Sequence, residues 1–155
     1  MGTIVSIEVI EREDEAFVND VDAGIARAVE WFHQVERLCS RFDEHSELRA
    51  LTRQAGTPVP VSELVYTATE FALTVAEETG GAFDPTIGLE MEARGFDRHY
   101  LTGDRNRPAA RSQGPAGGRR PTYRDVVLDP SARTIMLRTP LVLDLGAVAK
   151  GLAID

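Results

Sequence analysis

At 155 residues, with 43% hydrophobic and 27% charged residues, the chain has the size and composition of one globular domain or part of a larger one. Its formal net charge of −8 disfavours general binding to nucleic acid or to an anionic membrane. Cys39 is the only cysteine, which excludes an intrachain disulfide, and no apolar run reaches transmembrane length. With no basic-then-apolar leader before the first predicted strand, a cytoplasmic location is expected.

Residues 2–11, GTIVSIEVIE, alternate β-branched and polar side chains with a period of two, which predicts a strand. A long helix follows over residues 13–38, with Asp14 as a candidate cap. Its apolar stripe is Val18, Val21, Ile25, Ala28, Val29, Phe32, Val35 and Leu38. Ser46 begins a short helix that turns Leu48 and Leu51 inward, and residues 56–60, GTPVP, break the chain. Ser62 caps the next helix, whose predicted buried face is Leu64, Val65, Ala68, Phe71, Ala72, Val75 and Ala76, and Gly80-Gly81 end it.

Residues 81–100 form a glycine-punctuated loop with room for one helical turn. Residues 102–122 are rich in Gly, Pro and Arg and read either as a flexible surface insertion or as an arginine-rich flap near phosphates. Three strands are predicted over residues 123–128, 134–138 and 141–145, with Asp129-Pro130-Ser131 turning the first into the second. One strand, then helices, then strands favours an α+β fold over a doubly wound sheet.

Two stretches carry candidate chemistry. LVLDLGAVAKGLAID, residues 141–155, holds Lys150, the only lysine beside sixteen arginines. A strand-to-helix junction at Gly146 would point free backbone N–H groups outward, where the helix dipole favours an anion. A lysine there suits a nearby phosphate, and Gly151 permits close approach of another backbone or a ligand. A buried turn with a surface lysine accounts for the stretch equally well, because neither the Walker nor the dinucleotide glycine spacing is present. In GAFDPT, residues 81–86, Phe83 beside Asp84 suits a planar heterocycle with ring N–H donors. The plainer reading has Phe83 plugging the core and Asp84 capping Thr86 or Ile87.

Taken in order, MGTIVSI, LCSRFDEHSELRALT, GGAFDPTIGLEMEARGFDR, YRDVVLD and LVLDLGAVAKGLAID give the chain a further meaning. Together they resemble the first half of the ApbE family, the FAD:protein FMN transferases, once labelled thiamine-biosynthesis lipoproteins. The resemblance spans nearly all of residues 1–155 outside the 102–122 insertion. It implies an ApbE-like α+β fold and a Mg2+-dependent transfer of FMN from FAD to a Thr or Ser of a target flavoprotein, with release of AMP.

By the same resemblance Met1, Ala82, Phe83, Asp84, Asp144 and Lys150 would contact FAD, the lysine through phosphate charge. Phe42 stands where many relatives carry Tyr or another aromatic, and Ala147 would lend its carbonyl to Mg2+. The family's other magnesium ligands, an Asp and a Thr, belong to a later segment. The chain as given is therefore expected to be incomplete for catalysis, with a C-terminal half as one possible partner. An FAD-binding module without transferase activity is the alternative. No catalytic base is assigned.

Overall fold

The computed structural model describes residues 4–10, 18–99, 103–105 and 119–154. Met1, Asp14 and most of the 102–122 insertion lie outside the described residues. The elements in order are α1 (Val18–Cys39), α2 (Glu47–Thr52), β1 (Val59–Pro60), α3 (Glu63–Glu78), α4 (Gly88–Ala93), a single 3-10 turn (Tyr123–Asp125), β2 (Val126–Asp129), β3 (Thr134–Leu137) and α5 (Gly146–Ile154). Helices with one small antiparallel sheet make this an α+β fold. The sheet order is β1-β3-β2, so β3 is central, paired through Val59↔Ile135 on one side and Leu128↔Ile135 on the other.

The helix starts follow local chemistry. Ser46 Oγ accepts from Arg49 N at 3.0 Å, and Ser62 Oγ accepts from Val65 N at 3.3 Å. The end of α3 is equally local. Gly80 and Gly81 take φ of 61° and 85°, and their amides donate to Glu77 O and Ala76 O. That pair of reversed hydrogen bonds satisfies the last carbonyls of the helix.

The core lies where α1, α3 and α5 pack on one another and α2 packs on β3. Val35, Leu48, Leu51, Val65, Ala68, Ala72, Ile135, Leu137, Leu141, Leu143 and Leu145 are its buried centre.

Several expectations are corrected. Residues 4–10 form no strand, and every one of them is exposed. Alternation supplies two usable faces but no hydrogen-bonding edge, and none of the described elements pairs with this segment. Residues 141–145 also form no strand. They run buried through the core, with Val142 making one parallel bridge to Ile87.

The predicted strand at 123–128 begins as the 3-10 turn, because Asp125 reaches back to Thr122 N at 2.9 Å and tightens the chain there. The GTPVP break contains β1, whose Pro60 is tolerated because β1 is an edge strand. On α3 the buried face is Val65, Tyr66, Ala68, Thr69, Ala72 and Ala76, while Phe71 is 54% exposed. Among the described side chains of the α1 stripe, those at its C-terminal end reach the core. Val35 is fully buried, whereas Val29 is 41% exposed.

Candidate functional site

A cleft of about 370 Å3 opens between the end of α1, the GAFDPT loop and the start of α5. Phe42, Phe83, Asp84, Asp144, Ala147 and Lys150 all line it, together with Arg41, Cys39, Glu36 and Ile87. Six of the eight site residues expected from sequence, separated by up to about a hundred positions, thus meet on one surface. Ala82 is exposed beside Phe83 and is not among the cleft's lining residues.

Two polypeptide segments are laced together to form the wall. Asp144 N donates to Pro85 O at 2.7 Å, and Gly88 N donates to Val142 O at 3.1 Å. Gly88 permits this approach, since a Cβ there would lie 2.6 Å from both Val142 Cγ1 and Val142 O. Residues 141–145 therefore pair with residues 85–88, at the end of the GAFDPT loop and the start of α4, instead of with the sheet.

The carboxylates are held by the protein. Asp84 Oδ1 accepts from Thr86 N at 2.9 Å and from Thr86 Oγ1 at 2.7 Å, and Oδ2 accepts from Tyr123 N at 3.2 Å. The capping role expected for Asp84 is present, and Phe83 packs against the core. A carboxylate has about four acceptor positions, so Asp84 retains capacity for a further donor in the cleft.

Asp144 Oδ1 accepts from Gly146 N at 3.0 Å, which caps the entry to α5, and Oδ2 accepts from Arg41 Nε at 2.7 Å. Lys150 sits one turn into α5 and is exposed. Gly151 has open space where a side chain would begin, with no described atom within 4 Å.

Arg41 is a lining residue that sequence reading missed. Its side chain is 5% exposed, its Nη1 donates to Phe96 O at 2.9 Å, and its guanidinium lies 4.0 Å from the Phe42 ring centroid. The only signal in the sequence was its place beside Phe42 in SRFD. Cys39 is chemically quiet. Burial, aided by the charge of Glu47, pushes its thiol up to about 12, so the nucleophilic thiolate is scarce at neutral pH.

The whole chain, residues 1–155, matches the ApbE family. It belongs to that family. A relative in Treponema pallidum (strain Nichols), an FAD:protein FMN transferase, is 31% identical over all of this chain and 42% of its own length. The ApbE protein of Thermotoga maritima superposes with a TM-score of 0.71 and 28% identity, over 92% of this chain and 45% of the other. The Pseudomonas stutzeri flavinyl transferase ApbE shares the fold, with a TM-score of 0.68 and 18% identity over 87% of this chain and 44% of that one. This ApbE-family chain thus spans less than half the length of these relatives.

A hard cation such as Mg2+ takes about six oxygen ligands. Among the described residues no group of three or more His, Cys, Asp or Glu side chains could hold a metal. Ala147 lines the cleft, and a single backbone carbonyl does not make a metal site. Among the described residues, too, no helix is long and apolar enough to cross a membrane.

Proposed function

We propose that this chain carries the flavin-nucleotide cleft of an FAD:protein FMN transferase. The observation that supports this most is the meeting of Phe42, Phe83, Asp84, Asp144, Ala147 and Lys150 in one cleft. Its volume of about 370 Å3 lies at the small end of ligand pockets, so it would take part of FAD and leave the remainder to extend outward.

In this reading the flavin lies against Phe83 and the face of Phe42 that Arg41 leaves free. Asp84 accepts from a donor on the flavin or ribityl end, and Lys150 faces the diphosphate across the start of α5. Met1 and Ala82 complete the contacts in this proposal. The Ala147 carbonyl contributes one ligand to Mg2+. The others would come from the phosphates, from water and from sequence equivalent to the part of the relatives that this chain does not span. Bound there, the ion would neutralise phosphate charge during phosphoryl transfer.

The reaction is an exchange at phosphorus. A Thr or Ser hydroxyl oxygen of a target flavoprotein bonds to the FMN phosphorus, the pyrophosphate P–O bond breaks, and AMP leaves with the bonding electron pair. The hydroxyl proton passes to solvent or a base. The protein's contribution is to position the diphosphate and offset its charge. A reducing cytoplasmic setting is part of the proposal and agrees with the single cysteine.

The test is incubation with FAD, Mg2+ and a target flavoprotein carrying the acceptor Thr or Ser, followed by denaturing electrophoresis. Flavin fluorescence on the denatured target is the expected result. Tight FAD retention with an unlabelled target would instead mark a binding module. Lys150→Ala should weaken FAD binding by roughly tenfold, as expected for one lost charge-assisted contact, and riboflavin much less. Equal losses for the two ligands would remove the phosphate role of Lys150.

A further inference from the structure

We propose that Arg41 is a positioning residue that compensates the charge of Asp144 and so makes the cleft tolerant of a diphosphate. The inference rests on the reading of the cleft as an FAD site.

Among the described residues, two cationic side chains, Arg41 and Lys150, and three carboxylates, Glu36, Asp84 and Asp144, line the cleft. Among these described groups, acidic ones outnumber basic ones. A diphosphate entering such a space meets like charge unless the carboxylates nearest to it are offset. Asp144 is the carboxylate at the start of α5, in the stretch where the phosphates are proposed to lie. Its Oδ2 is taken by Arg41 Nε at 2.7 Å, and its Oδ1 is turned to Gly146 N at 3.0 Å. Arg41 therefore offsets the Asp144 charge and helps to orient the carboxylate whose other oxygen caps the helix.

Contacts with several described residues hold the guanidinium. It bonds Asp144, donates to Phe96 O at 2.9 Å, and stacks 4.0 Å from the centroid of Phe42. Lysine could supply the charge at this place. It could not supply the planar fork or the stacking face. Arg49 of α2 reaches Glu92 of α4 at 2.8 Å, a separate ion pair that leaves Asp144 untouched.

The experiment titrates FAD and riboflavin into the full chain as wild type, Arg41→Met, Asp144→Asn and the double variant. Circular dichroism confirms that each is folded. Arg41→Met is expected to weaken FAD roughly tenfold or more, because it leaves a carboxylate uncompensated beside the phosphates. Riboflavin, which has no phosphate, should lose less than about threefold. In the Asp144→Asn background the Arg41→Met change should cost FAD binding less than about threefold, because the charge to be offset is gone.

An equal loss for both ligands, or the same loss in the Asp144→Asn background, overturns the proposal. Should Arg41→Met fail to fold, Arg41→Lys serves. It should weaken FAD partially while sparing riboflavin, and unchanged FAD affinity would show that the fork and its hold on Asp144 are dispensable. Wild-type protein that binds neither ligand defeats the FAD reading and this inference together. Wild-type binding without the coupling defeats the inference alone.

Discussion

Residues 4–10 and residues 141–145 are both rich in aliphatic side chains, and both read as strands in sequence. In the fold they part company. Ile4 and Ile10 are 94% and 89% exposed, whereas Leu141, Val142, Leu143 and Leu145 are each exposed by 2% or less. Neither segment forms a strand. The second segment hydrogen-bonds to Pro85 of the GAFDPT loop through Asp144 N and to Gly88 at the start of α4 through Val142 O, and it brings Asp144 to the cleft. The first finds no such partner among the described residues. Apolar alternation therefore advertises a face to be covered, and what covers it depends on the surroundings.

Substitutions can break that contrast or sharpen it. Leu143→Ala should have the largest effect, since removing a fully buried leucine costs about 2–5 kcal/mol including the cavity it leaves. Urea denaturation followed by circular dichroism would measure it. A loss below 1 kcal/mol, on the order of an exposed site, would erase the difference between the two segments.

Gly88→Ala comes next. It would force a methyl into Val142, and overpacking of this kind costs about 1–3 kcal/mol. It should also weaken FAD binding, because Val142 lies two residues before Asp144, which lines the cleft. Intact stability would mean that the two segments can separate freely.

The third test uses pH. Asp125 is buried, which by itself raises its carboxyl, but the Arg119 guanidinium and the Thr122 amide more than offset this and hold it below the usual carboxylate value. A folded value below the unfolded one means that its contribution to stability is complete above the ordinary Asp range, near about 3.9. That contribution is lost as pH falls through the lowered folded value. Asp125→Asn should therefore flatten the acid limb of a stability–pH profile. An unchanged acid limb would show that Asp125 contributes nothing to it.

The smallest effect is expected for Ile10→Ser, which should lie within about 0.5 kcal/mol because the side chain is already in water. A loss of 2 kcal/mol or more would show that this segment is covered in solution, and the contrast with residues 141–145 would vanish.

Features that depend on a few neighbouring residues were legible in the sequence. Ser46 and Ser62 cap their helices through amides three positions on, and Gly80-Gly81 close α3 with backbone torsions that glycine reaches at little cost. The Asp129 turn was legible for the same reason, its carboxylate accepting from Ser131 N and Ala132 N. The site was readable as separate motifs, GAFDPT and DLGAVAKG, though not as one surface.

Arg41 escaped notice because its partners are distant. Asp144 lies 103 positions away and Phe96 lies 55, and nothing local indicates that an arginine beside a phenylalanine will be buried. On α3 the apolar residues were visible, but the face they share with the core was misplaced by a fraction of a turn. Phe71 was left in solvent, and Tyr66 and Thr69 were brought inside. The angle at which α3 meets α1 and α5 decides that, and periodicity does not contain it.

The sequence by itself determined the helix starts and stops, the α+β class and the motifs that tie the chain to the ApbE family, because capping, turn geometry and motif order act over a few residues at a time. Only the tertiary structure decided which apolar stretches are buried, that residues 141–145 pair with residues 85–88 in preference to the sheet, and that Arg41 closes on Asp144. Burial and charge pairing arise between groups far apart in the chain, and their energies exist only once packing has set the distances.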